Sequence, residues 1–165
     1  MKNISFVGFM GAGKSTISRK IAEQLRYPVF SSDQLIVERE QRNISDIFQN
    51  SGEVYFRRVE REVIEELSGR DGVVIDCGGG VVLDPRNISN LKRNGTVIYL
   101  SATPAVIFER VKNSTHRPLL RVDDPLAKIK DLLTKRLEFY QKANITINTD
   151  HKDIDDVCRE ILTLI

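Results

Sequence analysis

The sequence contains little cysteine, and this limits its covalent and metal chemistry. Only Cys77 and Cys158 occur among the 165 residues, and two cysteines provide neither a disulfide framework nor a zinc constellation. Cys77 adjoins a run of glycines and Cys158 falls in the last helical segment. Both are expected to act as small buried hydrophobic residues, as free cysteines usually do.

Long apolar runs are also missing from the chain. No stretch approaches the ~18 apolar residues that a transmembrane helix needs. The segment 1–8 has too short an apolar stretch for a signal peptide and leads directly into a glycine loop. We therefore expect a soluble protein of the cytoplasm that has no membrane partner.

An excess of charge of one sign is absent as well. Lysine and arginine number 25 against 23 aspartate and glutamate, which leaves a formal net charge of +2. This near balance argues against a protein whose main task is to wrap nucleic acid. With 41% hydrophobic and 29% charged residues, the composition is that of a globular protein, and we expect one domain over residues 1–165.

What the sequence does contain is a regular alternation of strand and helix patterns. Short apolar, often β-branched runs predict strands, and amphipathic segments between them predict helices. Such alternation with short connections predicts an α/β fold, a parallel sheet with helices on both faces. The predicted strands cover residues 4–7, 29–30, 73–76, 97–100 and 145–147. The predicted helices cover residues 15–26, 34–41, a short segment capped by Asn43 or Ser45, 52–69, 88–93, 105–111, 126–142 and 154–164.

The strongest motif follows the first predicted strand. Residues 8–15 read Gly-Phe-Met-Gly-Ala-Gly-Lys-Ser, which fits the phosphate-binding pattern G-x-x-x-x-G-K-[ST] between a strand and a helix. The backbone N–H groups of such a loop surround a polyphosphate, and the helix N-terminus adds positive partial charge. Lys14 is predicted to reach the β- and γ-phosphates, and Ser15 to bind Mg²⁺. The predicted ATP-binding residues of this loop are Gly11, Ala12, Gly13, Lys14, Ser15 and Thr16.

The remaining chain narrows the class of nucleotide-binding protein. A small GTPase would need an N-K-x-D tetrapeptide to select its base, and the sequence contains none. Motor and remodelling ATPases are normally larger and carry additional domains. A polar, proline-containing stretch over residues 112–124 predicts a mobile lid, which suits phosphoryl transfer to a small molecule because a closed lid excludes water.

Several features after the predicted strands indicate an anionic, hydroxylated acceptor. Asp33 follows the second strand and Gly78-Gly79-Gly80 follow the third, at the sheet edge where α/β proteins bind their ligands. Arg57 lies near the start of the longest helical segment, and Arg136 lies one turn before Tyr140. Guanidinium groups bind carboxylates through paired N–H donors. An arginine on a helix is, however, more often solvated or paired with a neighbour, as expected for Arg58 with Glu62.

Together these motifs resemble those of shikimate kinase, over essentially the whole chain. The resemblance rests on residues 8–16, on Gly-Glu-x-x-Phe-Arg at 52–57, on the triplet beginning at Gly78 and on Arg-Pro-Leu-Leu at 117–120. It implies a three-layer P-loop kinase fold with a five-stranded parallel sheet in the order 2-3-1-4-5, working as a monomer. The implied activity is ATP-dependent phosphorylation of the 3-hydroxyl of shikimate, in the pathway to chorismate and the aromatic amino acids.

The resemblance also implies roles for the acceptor-side residues. Arg57 and Arg136 would hold the shikimate carboxylate, and Asp33 would bind the ring hydroxyls and receive the proton of the attacking one. Gly79 would offer its N–H group to the substrate from within the triplet that includes Gly78 and Gly80.

On the nucleotide side, the resemblance implies that Arg117 moves in with the lid and stabilises charge on the transferring phosphoryl group, alongside Lys14 and Mg²⁺. Arg110 would lie along the adenine, with Lys152 as a weaker candidate for the same place.

The chain departs from the family pattern at one position. Shikimate kinases usually carry Asp-x-Asp after the second strand, where this chain has Ser31-Ser32-Asp33. The missing carboxylate is thought to hold Mg²⁺ through water. Asp76, at the end of the third predicted strand, occupies the position of a Walker B aspartate. Our hypothesis is that Asp76 takes the metal role that Ser31 lacks, the alternative being that Asp76 caps the glycine loop.

Two rival functions stay open, and one acidic cluster has an ordinary structural interpretation. A gluconate kinase shares the fold and the phosphate loop, although the glycine triplet and the 52–57 motif point away from it. A nucleotide-binding module without turnover is the second rival, for which Ser31 is the only hint. The glutamates Glu60, Glu62, Glu65 and Glu66 are interpreted as the solvated face of a helix.

Overall fold

The chain folds around a five-stranded parallel sheet with helices on both faces. The computed structural model describes residues 2–114 and 121–165. All strand pairs are parallel, and the strand order is β2-β3-β1-β4-β5. The predicted fold class and strand order are therefore confirmed. The strands are β1 (Asn3–Val7), β2 (Val29–Ser31), β3 (Val74–Asp76), β4 (Gly95–Ser101) and β5 (Ile145–Asn148).

The helices fall where the apolar periodicity predicts them, and most of their ends agree with the predicted ones to within three residues. A 3-10 turn, Val81–Leu83, follows the glycine triplet. The helices are α1 (Lys14–Leu25), α2 (Ser32–Glu40), α3 (Ile44–Ser68), α4 (Pro85–Arg93), α5 (Pro104–Val111), α6 (Pro125–Tyr140) and α7 (Ile154–Leu164).

Both faces of the sheet are covered because successive strand residues point to opposite sides. Ile4 and Phe6 of β1 pack with α1 and α7, whereas Val7 packs with α3 and α4 on the other face. All five residues of β1 are buried. This double covering explains why even the polar residues Asn3 and Ser5 of the central strand are buried. Because the strands are parallel, their carboxyl ends lie at one edge of the sheet.

Helix α3 is interrupted at Gly52, where φ is 83° and ψ is 169°. The sequence predicts two separate segments here, and the backbone break between them agrees with that prediction. Asn43 caps the first part by accepting a hydrogen bond from the Asp46 N–H at 2.8 Å. The rings of Phe48 and Phe56, on either side of the break, lie 4.6 Å apart. The second part of α3 carries Arg57 towards the carboxyl edge of the sheet.

Among the residues that the structure describes, no helix is both long and apolar enough to cross a membrane. Cys77 and Cys158 are free and buried, as the sequence predicts.

Candidate active site

The phosphate-binding loop connects β1 to α1 at the carboxyl edge of the sheet. Gly13 adopts a left-handed conformation (φ 90°, ψ 12°) immediately before the helix, which a residue with a Cβ rarely adopts. Lys14 folds back across the loop, and its Nζ donates to the carbonyls of Gly8 at 2.9 Å and Phe9 at 3.1 Å. The ammonium group is thereby held over the concavity in which a polyphosphate would lie.

Ser15, the first hydroxyl residue of α1, is paired with a carboxylate. Its Oγ donates to Asp76 Oδ2 at 2.6 Å. Asp76 ends β3 and is buried. A hydroxyl and a carboxylate are oxygen donors of the kind that Mg²⁺ prefers in phosphate-binding sites. The two residues predicted to serve the metal therefore lie in direct contact.

Ser31 lies directly across from Asp76, because the two are partners in the parallel pairing of β2 with β3. Its Oγ accepts a hydrogen bond from the Gln34 N–H at 3.3 Å, so Ser31 serves as the N-cap of α2. The glycine loop is capped by Ser32, whose buried Oγ accepts from the Gly78 N–H at 2.9 Å. The capping bond that the alternative assigns to Asp76 is thus made by Ser32. Asp76 accepts its hydrogen bond from Ser15 instead.

Asp33, in the first turn of α2, is the carboxylate closest to the glycine triplet. A Cβ atom built on Gly78 would lie 2.4 Å from Asp33 Oδ1. Burial raises the pKa of Asp33 above its ordinary value of 3.8, an effect that Lys14 and Arg57 oppose and Asp76 reinforces. A carboxylate with a raised pKa beside a phosphate loop is suited to accept a proton.

The glycine triplet gives room to protein side chains as well as to a ligand. A Cβ on Gly80 would lie 2.4 Å from Arg57 Nη1, and one on Gly79 would lie 4.0 Å from Arg136 Nη1. Gly78 and Gly80 therefore face Asp33 and Arg57, whereas a Cβ on Gly79 would lie nearest to the phosphate loop, 3.7 Å from Gly8 O and from Met10 N. The sequence predicts that a substrate approaches the triplet closely. In the structure, the groups that approach it are the side chains of Asp33 and Arg57.

A methyl group at position 80 is expected to displace the Arg57 guanidinium, because the two would collide. We expect Gly80→Ala to raise the KM for the acceptor about 10-fold or more with a smaller change in kcat. Gly78→Ala, which displaces the Asp33 carboxylate instead, should lower kcat. Steady-state kinetics of both variants check this. Gly69→Ala, in which the added Cβ comes no closer than 3.4 Å to Glu66 O, is the control, and equal effects of all three would contradict the assignment.

Arg57 is held by a buried glutamate, Glu60, for which a solvated position is predicted from the sequence. Glu60 is only 1% exposed, and its Oε1 accepts from Arg57 Nη1 at 2.8 Å. Burial raises the pKa of Glu60, while Arg57 lowers it. The expectation that Glu60 lies on a solvated face is wrong. Its spacing contained the signal: Glu60 lies four residues from both Phe56 and Ile64, which are buried on the core side of α3.

Arg136 reaches the triplet from α6, on the opposite side from Arg57. Its Nη1 lies 3.5 Å from the Gly79 carbonyl oxygen, and its guanidinium lies 5.8 Å from the centre of the buried Phe9 ring. Arg57 and Arg136 both lower the pKa of the buried Glu60. The structure thus brings two cations, Asp33 and the phosphate loop to the same edge of the sheet.

A cavity of about 380 Å³ runs from the phosphate loop to Asp33 and the first two glycines of the triplet. It is lined by Met10, Gly11, Gly13, Lys14, Ser15, Thr16, Ser31, Asp33, Asp76, Cys77, Gly78 and Gly79.

A second cavity, of about 430 Å³, lies on the other side of the phosphate loop, between α1 and α7. Arg110 crosses its edge, donating from Nη1 to Gly11 O and Thr149 Oγ1 at 3.2 Å each and from Nη2 to Thr149 O at 3.1 Å. Lys152 also lines the cavity and pairs with Glu160 at 2.6 Å. The two residues predicted to flank the adenine, Arg110 and Lys152, therefore line one cavity beside the phosphate loop.

One predicted site residue, Arg117, lies outside the described residues, as does the segment 115–120 of the predicted lid. Beyond it, Asp124 caps α6 by accepting from the Ala127 N–H at 3.0 Å.

Comparison with known proteins gives one consistent family. A family model described as shikimate kinase matches residues 10–165. The chain is 43% identical over 165 residues to a shikimate kinase of Sulfurihydrogenibium sp. (strain YO3AOP1), covering 100% of this chain and 98% of that protein. It is 45% identical over 160 residues to a shikimate kinase of Dehalococcoides mccartyi, covering 96% and 90%.

Solved structures give the same similarity in three dimensions. The shikimate kinase from Acinetobacter baumannii in complex with shikimate has a TM-score of 0.93 at 38% identity, covering 99% of this chain and 92% of that one. A gluconokinase from Sinorhizobium meliloti 1021 has a TM-score of 0.60 at 17% identity, covering 98% and 90%. The second likeness shows a shared fold alone.

Proposed function

Since the chain belongs to the shikimate kinase family, we propose that it transfers the γ-phosphoryl group of ATP to the 3-hydroxyl of shikimate, giving shikimate 3-phosphate and ADP. The observation that carries this proposal is the grouping of Asp33, Arg57 and Arg136 around the glycine triplet, next to the phosphate loop. A carboxylate acceptor with ring hydroxyls matches these charges. The similarity to the Acinetobacter baumannii enzyme, whose structure contains shikimate, supports the same acceptor.

On the nucleotide side, the loop binds the phosphates through its N–H groups and through Lys14, while Arg110 flanks the base. Ser15 and Asp76, which lie in contact at 2.6 Å, would provide oxygen donors for Mg²⁺. When bound there, Mg²⁺ neutralises charge on the β- and γ-phosphates. Binding by these groups fixes the γ-phosphorus in line with the acceptor.

On the acceptor side, Arg57 and Arg136 hold the carboxylate, and Glu60 keeps Arg57 in place. Asp33 takes the proton of the 3-hydroxyl as the new oxygen–phosphorus bond forms and the bond to the β-phosphate oxygen breaks. No covalent enzyme intermediate is involved, so positioning and charge neutralisation supply the rate. Arg117 stays a sequence prediction for a third cation on the transferring group.

The test is an ADP-release assay with a small panel of hydroxy acids. We expect ADP release that depends on shikimate and on Mg²⁺. Activity with gluconate instead would overturn the proposal in favour of the rival kinase, and inactivity with every acid despite ATP binding would favour a module without turnover. Arg136→Met, which removes one of the two carboxylate partners, should raise the KM for shikimate far more than the KM for ATP.

We further propose that the protein works as a monomer in the cytoplasm, on a small molecule and without nucleic acid or membrane partners. Sedimentation at the concentrations used in the assay checks the oligomeric state.

A further inference from the structure

The three carbonyl groups of the glycine triplet are engaged in different ways. The carbonyls of Gly78 and Gly80 accept from the backbone N–H groups of Val81 and Leu83, both at 3.1 Å. The carbonyl of Gly79 accepts instead from the hydroxyl of Tyr140, at 2.7 Å. Among the described residues, the corresponding backbone bond from Val82 is not formed. A side chain from α6 has thus replaced one bond of the 3-10 turn.

Tyr140 is rigidly placed to make this bond. It is fully buried, and its ring stacks on that of Tyr99 with centroids 4.9 Å apart and planes 6° from parallel. Burial raises the pKa of Tyr140 to about 12, although Arg136 and Arg57 oppose the rise. The hydroxyl therefore stays protonated at neutral pH and remains a donor.

The bond fixes the direction of a whole peptide group. The Gly79–Gly80 peptide bond is trans, as are the other peptide bonds of the described residues, so the N–H of Gly80 points opposite to the carbonyl of Gly79. Because the carbonyl points to the buried Tyr140, this N–H points away from the interior. Within the part of the chain that the structure describes, no hydrogen bond uses the N–H groups of Gly79 or Gly80. They are donors available to a ligand.

We propose that Tyr140 is a positioning residue, whose hydroxyl holds the Gly79–Gly80 peptide so that the Gly80 N–H faces the bound acceptor. This inference rests on the proposed function. Without the hydroxyl, the half-buried Gly79 carbonyl keeps only the longer 3.5 Å contact from Arg136 Nη1, and we expect it to turn towards the Val82 N–H and complete the 3-10 turn, because a backbone hydrogen bond replaces the one that is lost. That rotation moves the Gly80 N–H away from the acceptor.

The test compares Tyr140→Phe with Tyr99→Phe by calorimetry. Each variant loses one hydroxyl and keeps its ring, but among described residues no side-chain hydrogen bond is formed by the Tyr99 hydroxyl. We expect Tyr140→Phe to bind shikimate about 5- to 10-fold more weakly, the effect of one lost hydrogen bond, with the Kd for ADP unchanged. The KM for shikimate should rise with kcat within about 2-fold, whereas Tyr99→Phe should match the unmodified chain.

A second readout follows the peptide itself. In protein labelled with ¹⁵N-glycine, shikimate should shift the Gly80 amide resonance in the unmodified chain and in Tyr99→Phe, but not in Tyr140→Phe. Equal shikimate affinity and an equal Gly80 shift in Tyr140→Phe would overturn the positioning role alone. An unmodified chain that shows neither shikimate binding nor a shift would overturn the proposed acceptor, and with it this role. Unfolding temperatures of the three proteins verify that each is folded.

Discussion

Replacing Asp33 with asparagine is expected to lower kcat at neutral pH by about 10²- to 10⁴-fold, the usual contribution of a general base. The amide keeps the shape and the hydrogen-bonding ability of the side chain but cannot take the proton of the acceptor hydroxyl. Binding of ADP and of shikimate, measured by calorimetry, should change little. The matched control is Asp131→Asn, which removes an exposed carboxylate that pairs with Lys135 on the surface of α6.

The pH profile gives this prediction a sharper form. Only the ionised carboxylate accepts a proton, so kcat/KM should fall as the pH drops through the pKa of Asp33. Because burial raises that pKa above 3.8, the acid limb should lie above the range of an ordinary aspartate, and it should be missing from Asp33→Asn. An asparagine variant that keeps both the kcat and the acid limb of the unmodified chain would show that Asp33 is not the base.

Removing the carboxylate of Asp76 is expected to weaken the apparent Mg²⁺ affinity about 10- to 100-fold, as loss of a group that orients a metal ligand or its water usually does. The expectation follows from the 2.6 Å contact between Asp76 and Ser15. Titrating Mg²⁺ in the assay measures it for Asp76→Ala. Electron paramagnetic resonance of Mn²⁺ in the presence of ADP measures it without turnover.

Restoring a carboxylate on the neighbouring strand should repair this loss. Residues 31 and 76 are partners in the β2–β3 pairing, so Ser31→Asp added to Asp76→Ala supplies a negative charge from the adjacent position. Ser31→Asp alone is the control, and aspartate can still cap α2. An unchanged Mn²⁺ affinity in Asp76→Ala would contradict a metal role for this residue.

The architecture could be predicted from the sequence because its signals are local. A buried strand such as Val74–Asp76 is a continuous apolar run, and the phosphate loop is a contiguous motif whose glycines and lysine have one physical purpose. The break in α3 is likewise predicted by Gly52, where the backbone leaves the helical conformation. In each of these cases the residues that determine the structure are neighbours in the chain.

The partners within the site could not be predicted because they are distant in sequence. The bond from Tyr140 to Gly79 spans 61 residues, and the bond from Gly78 to Ser32 spans 46. The residue types do not predict these two hydrogen bonds, since a tyrosine or a serine hydroxyl has many possible partners. Glu60 is an intermediate case. Its helical spacing indicates the core side of α3, whereas its charge favours the surface, and the ion pair with Arg57 is what allows the carboxylate to be buried.

The pairing of positions 31 and 76 also constrains how such a site can change. Single substitutions that move a carboxylate from one strand to the other must pass through a protein with both acids or with neither. With both, a second negative charge joins Asp76 near Asp33 and raises the pKa of that base further. With neither, the proposed metal site has no carboxylate at either position. From the proposed roles we expect Asp33 to be protonated at a higher pH in the first protein and Mg²⁺ to bind more weakly in the second, so the order of the two substitutions decides which effect comes first.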